Sequence, residues 1–191
     1  QLNEILATEE KLKSFEQIPD YPLSTRFHGQ LRSYQQHGFK WLYFLNEYRF
    51  SGCLADDMGL GKTVQTLALL QTLKDNKQLK TSLLVMPVSA IPNWEAEIQR
   101  FSPTLSYHRH LGSSRDKTTT GWKKKNLILT SYATMRNDIE MLKDFAFDYV
   151  ILDESQNIKN LSAQVTKAAK LLQAATRLAL RGTPIENHTL E

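Results

Sequence analysis

Disulfide chemistry is missing from this chain, because Cys53 is its only cysteine. That excludes a disulfide framework and a cysteine-cluster metal site, and it fits a reducing, intracellular compartment. Long apolar runs are missing too. None approaches the ~18 residues of a membrane span, and the opening stretch Gln1 to Phe15 is charged rather than signal-like, so no membrane partner is expected. Excess charge of one sign is small: 24 Lys and Arg stand against 20 Asp and Glu, a net charge of +4, which allows a nucleic-acid partner without requiring one. Repeats and low-complexity tracts are absent apart from a polar stretch, Gly112 to Asn126, read as a surface loop with room for one helical turn. What remains is 191 residues, 41% hydrophobic, enough for one sizeable core and most simply one domain.

The apolar pattern decides the fold class. Short runs at Cys53 to Ala55, Leu83 to Met86, Leu127 to Leu129, Tyr149 to Leu152 and Leu178 to Leu180 read as buried strands, with Ser106 to Leu111 a candidate sixth. Helical patterns separate them at Thr63 to Leu73, Ile91 to Phe101, Tyr132 to Leu142 and Ala163 to Leu172. Strand and helix in alternation imply a parallel sheet covered on both faces. Ahead of these, Leu31 to Tyr48 reads as a helix whose apolar face includes Tyr34, Gly38, Trp41, Leu42 and Leu45. Residues 1–25 read as a short amphipathic helix and a proline-marked linker, leaving 26–191 as the domain proper.

Chemistry concentrates in two places. From Leu54 to Thr66 the sequence LADDMGLGKTVQT runs from a strand through a glycine loop into a helix. Gly61, Lys62 and Thr63 fill the closing half of a phosphate-binding Walker A pattern, while Asp56 stands where its first glycine would be and Gly59 adds a second flexible point. Backbone N–H groups of Asp57, Met58, Gly59, Leu60 and Gly61 can turn toward a phosphate, and the following helix start adds its dipole. Lys62 would reach the terminal phosphates, and the Thr63 hydroxyl would bind Mg²⁺. The competing reading is a glycine turn before an ordinary amphipathic helix. The second place is FDYVILDESQ, where a buried strand delivers Asp153 and Glu154 at the carboxyl edge of the sheet, the edge at which open α/β folds bind ligands. Asp153 would hold Mg²⁺ through water, and Glu154 would orient or deprotonate the attacking water. Its competing reading is a strand running into an acidic helix cap.

With LRSYQQHGFKWL, MPVSAIPNWEAEIQRF, LTSYATMRND and LALRGTPIEN, these two stretches make six motifs in order over residues 26–191. Together they resemble the SWI/SNF-type ATPases of helicase superfamily two, in which an aspartate in place of the first Walker glycine is usual. The resemblance implies a three-layer RecA-like P-loop lobe with a mainly parallel sheet, ATP and Mg²⁺ as nucleotide and cofactor, and double-stranded DNA as partner. It covers the N-terminal lobe only; nothing resembling the second RecA-like lobe, which supplies the arginine fingers, occurs before Glu191. Lys62, Asp153 and Glu154 are then the catalytic set, and Gln35 takes the place of the family's adenine-contacting glutamine, the alternative being a surface glutamine on an amphipathic helix. Motifs Ia and Ib, which touch the DNA backbone, map onto Pro87 to Ser89 and onto Thr130 to Tyr132, with Ser89, Thr130 and Ser131 as the candidate phosphate donors; Val88 departs from the usual threonine, and Ser89 and Ser131 can also be helix N-caps, both roles holding at once. Lys123, Lys124 and Lys125 form the densest basic run, read more readily as a solvated loop than as a DNA patch.

In the last motif Thr183 is retained, but Arg181 stands where the family has a threonine. These coupling positions join the nucleotide site to the DNA face, and Arg181 is expected near Asp153 and Glu154, where it either pairs with a carboxylate or points to solvent. The implied activity is ATP-dependent translocation on duplex DNA with remodelling of bound protein. The alternatives are the motor of a restriction or repair complex and a non-hydrolysing, ATP-gated DNA-binding module.

Overall fold

The computed structural model describes residues 18–57, 61–155 and 163–183. Six strands form one sheet: β1 (Gly52–Asp57), β2 (Ser82–Met86), β3 (Tyr107–Arg109), β4 (Leu127–Ser131), β5 (Ala146–Leu152) and β6 (Gln173–Thr183). Their order is β1-β6-β5-β2-β4-β3, and every pairing is parallel. Among the described residues six α-helices accompany them: α1 (Ser33–Glu47), α2 (Lys62–Asp75), α3 (Ile91–Phe101), α4 (Tyr132–Asn137), α5 (Ile139–Leu142) and α6 (Ala163–Leu171). Among the described residues no helix is long and apolar enough to cross a membrane.

Side chains alternate across a strand, so each strand feeds two cores. Leu84, Met86, Leu127, Leu129, Ile151, Leu178 and Leu180 face one way, onto α1, α2 and α3 through Phe39, Leu42, Leu69 and Trp94. Leu83, Val85, Ile128 and Val150 face the other way, onto α4, α5 and α6 through Met135, Leu142, Val165 and Ala168. This is the three-layer α/β arrangement that alternation of strand and helix implies.

Helix α2 is the central one, buried from Gln65 to Leu73 between the sheet, α1 and α3. A helix enclosed on all sides must satisfy its polar groups internally. Thr66 and Thr72 therefore donate their hydroxyls back to the carbonyls of Lys62 and Ala68, both at 2.8 Å.

Several expected boundaries shift. The buried face of α1 centres on Phe39, Leu42 and Tyr43, while Tyr34 is exposed; Gly38 presents bare backbone to Gln65 of α2. The helix expected over Tyr132 to Leu142 breaks at Asp138, whose backbone leaves helical geometry (φ −108, ψ 18). There its carboxylate is engaged by Arg115 at 2.5 and 2.8 Å and by His110 at 2.7 Å, a buried network that outweighs continuation of the helix. The loop Gly112–Asn126 does contain one turn, a 3₁₀ turn at Trp122–Lys124 anchored by the buried Trp122 ring. The linker's last residues pack on the domain: Tyr21 hydrogen-bonds Glu47 at 2.5 Å, and the Ser24 N–H bonds the Thr72 hydroxyl at 3.1 Å. The helix expected before that linker lies outside the described residues.

Candidate nucleotide site and nucleic-acid face

Parallel pairing brings the C-terminal ends of β1, β6, β5, β2 and β4 to one edge of the sheet. β1 extends to Asp57, in backbone register with Thr183. The side chains of Asp57 and Thr183, together with Met58, Gly59 and Leu60, lie outside the described residues, as do Pro184, Glu186 and Asn187.

Gly61 is the left-handed residue (φ 83, ψ 37) that turns the chain into α2, a conformation that favours glycine. Space requires glycine as well. A Cβ at Gly61 would lie 2.4 Å from Nε2 of Gln35, while Oε1 of Gln35 accepts the Arg32 N–H at 2.9 Å. The α1 glutamine is thus fixed against the end of the phosphate loop. Lys62 opens α2 and is only 8% exposed; Thr63 follows on the first turn, half-buried.

Asp153 lies just past β5 and is held on every polar atom. Its N–H donates to the Val85 carbonyl at 2.8 Å, and its carbonyl accepts the Tyr132 hydroxyl at 2.6 Å. Oδ2 accepts the Trp94 indole N–H at 2.8 Å, and Oδ1 accepts the Glu154 N–H at 2.9 Å. Burial is the largest influence on the carboxyl and pushes its pKa up; the Trp94 and Glu154 N–H groups and the Lys62 charge pull it down, and Glu154 pushes it up again. Lys62, at the start of α2, and Asp153, just past β5, are therefore close enough to feel each other's charge. Glu154 has φ 51, a left-handed backbone costly for a residue with a Cβ. The turn that presents the two carboxylates is held in that state by the bonds around Asp153.

The donor set suits a nucleotide with a hard cation. A hydroxyl at Thr63 and a carboxylate at Asp153 are oxygen ligands of the kind Mg²⁺ takes, and a buried lysine at a helix start suits phosphate.

The candidate DNA contacts divide. Ser89 is exposed on a 3₁₀ turn, Val88–Ala90, at the entry to α3, and Val88 beside it is 65% exposed. Thr130 is fully buried and donates its hydroxyl to the His110 carbonyl at 2.9 Å. Ser131 is the N-cap of α4: its Oγ accepts the Thr134 N–H at 3.2 Å and lies 3.0 Å from the Thr134 hydroxyl. Both belong to β4, which runs two residues past its expected end at Leu129. Both hydroxyls have partners within the fold, and an N-cap role does not preclude a contact to phosphate.

Arg181 takes the solvent-facing one of its two expected positions. It lies within β6, which is much longer than the expected Leu178 to Leu180, in register with Ala55. It alternates with Leu178 and Leu180 and so faces away from the α1–α3 layer; it is exposed. Among the described residues no ion pair joins it to Asp153 or Glu154. Arg177, four positions back, bonds the Ala169 carbonyl near the end of α6 at 2.8 Å. A cavity of about 990 Å³ opens at the opposite edge beside Thr81, Lys123, Lys124 and Ala146. Two of the three lysines in the basic run therefore lie far from the nucleotide edge.

Trp94 and Tyr132 were missed as parts of this site when read from sequence. Each lies in the first turn of a helical pattern, but its bond to Asp153 joins residues distant in sequence, which local patterns do not show.

Comparison with known proteins places this geometry in context. The family model described as SNF2-related domain matches residues 34–191. A putative ATP-dependent helicase/translocase of Bacillus subtilis is 40% identical over 95% of the chain, and a TATA-binding protein-associated factor of Arabidopsis thaliana is 38% identical over 95%. The chain spans 20% of the first and 9% of the second. The Sulfolobus solfataricus SWI2/SNF2 ATPase core, solved in complex with double-stranded DNA, superposes with a TM-score of 0.77 at 40% identity, covering 88% of this chain and 36% of that one.

Proposed function

Because the chain belongs to the SNF2-related domain family, we propose that it is the N-terminal, ATP-binding RecA-like lobe of an ATP-dependent translocase on double-stranded DNA. The reading is carried by one observation: a buried lysine at the start of α2 and a buried aspartate after β5 lie within electrostatic reach of each other at the carboxyl edge of a parallel sheet.

In this reading Lys62 and the N-terminus of α2 bind the β- and γ-phosphates of ATP. Thr63 and Asp153 would hold Mg²⁺, which would supply positive charge to offset that developing on the transferred phosphoryl group. Glu154 orients a water in line with the γ-phosphate and accepts its proton as phosphate is released. Gln35, fixed at the end of the phosphate loop, supplies an amide donor and acceptor for the adenine edge. Ser89 contacts the DNA backbone, and because such contacts carry no base identity, binding is indifferent to sequence and weakens with salt. A second RecA-like lobe of the same protein supplies the arginine fingers, a contribution of ~10³ to 10⁵ in rate. Nucleotide-dependent closure of the two lobes then advances the protein along duplex.

Calorimetric titration of Mg·ATP tests the site. Wild type binds and Lys62→Ala does not, since the lysine cation faces phosphate charge in a partly dehydrated place. Equal affinity of the two proteins would remove Lys62 from the site.

A further inference from the structure

Asp153 is gripped from both layers at once. Trp94 on α3 reaches its carboxylate, and Tyr132 on α4 reaches its main-chain carbonyl. The two rings belong to different cores, on opposite faces of the sheet. Tyr132 helps fix where the turn is; Trp94 at Oδ2, together with the Glu154 N–H at Oδ1, fixes how the carboxylate is rotated.

Trp94 also lies on the first turn of α3, which continues directly from the 3₁₀ turn Val88–Ala90. That turn is closed by an Ala90 N–H bond to the Pro87 carbonyl at 2.9 Å. Pro92 stiffens the first turn of α3, and Trp94 and Ile98 bury the helix in the core. Displacement at the exposed Ser89 therefore has a stiff, continuous path of one helix start to the indole N–H.

We propose that Trp94 is a positioning residue: duplex DNA seated on Val88–Ala90 acts through α3 and the Trp94 indole to set the orientation of the Asp153 carboxylate. The inference rests on the function proposed above and adds to it the residue by which duplex controls turnover. A buried indole N–H needs some acceptor whatever its role, so the test separates coupling from packing.

The experiment uses a two-lobed protein that carries this chain, with Trp94 replaced by 3-benzothienylalanine, which keeps the bicyclic shape and lacks the N–H; Trp94→Phe accompanies it. The measured quantities are the duplex stimulation of kcat, the KM for ATP, duplex affinity by anisotropy, and melting temperature. Stimulation of kcat falls ~10-fold or more, the usual loss when a group orienting a metal ligand is removed, while duplex affinity stays with wild type and the melting temperature of the benzothienylalanine variant drops only by what one lost buried hydrogen bond costs. A second readout needs no variant to fold: in the ¹⁵N-indole-labelled wild type, the Trp94 N–H resonance shifts on adding duplex and that of Trp122, in the opposite layer, does not. Undiminished stimulation, a loss matched by lost duplex affinity, or a Trp94 resonance indifferent to duplex would each overturn the inference. A wild type that shows no duplex stimulation would instead defeat the functional reading on which the inference stands.

Discussion

Gln35 and Gly61 are fitted to each other: the Nε2 of the α1 glutamine occupies the space that a Cβ on the glycine would need, at 2.4 Å. Helix α1 and the left-handed residue that opens α2 are thereby packed against each other. Gly61→Ala meets both this contact and a backbone φ of 83, and should lower stability by about 1–2 kcal/mol and weaken Mg·ATP binding. Adding Gln35→Ala removes the clash and leaves the backbone strain, so the double variant should recover part of the loss. Urea unfolding of the two single variants and the double variant gives the coupling. Strict additivity would show that the two residues do not share the space.

The serines on the two candidate DNA loops should behave oppositely. Ser131→Ala removes an N-cap and costs about 1 kcal/mol of stability. Ser89→Ala, at an exposed site, leaves melting unchanged and weakens duplex binding about fivefold, the equivalent of one hydrogen bond worth ~1 kcal/mol. Thermal melting and anisotropy on both variants decide it. A duplex defect confined to Ser131→Ala would move the DNA contact to the other loop.

Most of the sheet, and the nucleotide edge, could be read from the chain because they rest on short-range patterns. A buried strand of a parallel sheet is a plain apolar run, and Gly61-Lys62-Thr63 and Asp153-Glu154 follow two such runs directly. Less legible was whatever depends on a partner distant in sequence. Asp138 breaks a helix because Arg115 and His110 converge on it. Thr130 and Ser131 have the composition of phosphate donors, yet their hydroxyls are taken by His110 and Thr134. β6 extends to Thr183 because β1 pairs with it to the end, which carries Arg181 onto a strand face rather than into the site.

The Asp138 network makes stability depend on pH in two steps. Arg115 is the chief cause holding the Asp138 carboxyl below its usual value, with His110 adding to it against burial. Burial in turn holds His110 below 6.5 despite its contact with Asp138, so at neutral pH the ring is neutral and donates its Nε2–H to the carboxylate. A lowered histidine loses stability as pH falls below its unfolded value, here 6.5, until its folded pKa is passed; a lowered aspartate does the same below 3.8. Unfolding free energy should therefore decline below pH 6.5 and again below 3.8. Arg115→Ala should cost up to about 3 kcal/mol at neutral pH, as for a buried pair that loses one partner, with the deficit shrinking in acid as Asp138 is protonated. Urea unfolding across that range checks it, and a variant as stable as wild type at pH 7 would show the network to be idle.

The central claim is that Lys62, Asp153 and Glu154 form half of an ATPase site that duplex DNA and a second lobe complete. It is tested most directly by phosphate release from a two-lobed protein carrying this chain, with and without duplex DNA, beside its Glu154→Gln variant and the 191-residue chain alone. The account predicts duplex-stimulated release by the two-lobed protein, its loss in Glu154→Gln, and at most a trace from the single lobe, since a missing arginine finger costs ~10³ to 10⁵ in rate. Robust duplex-stimulated release by the 191-residue chain alone, abolished by Glu154→Gln, would contradict it by showing a complete site within one lobe.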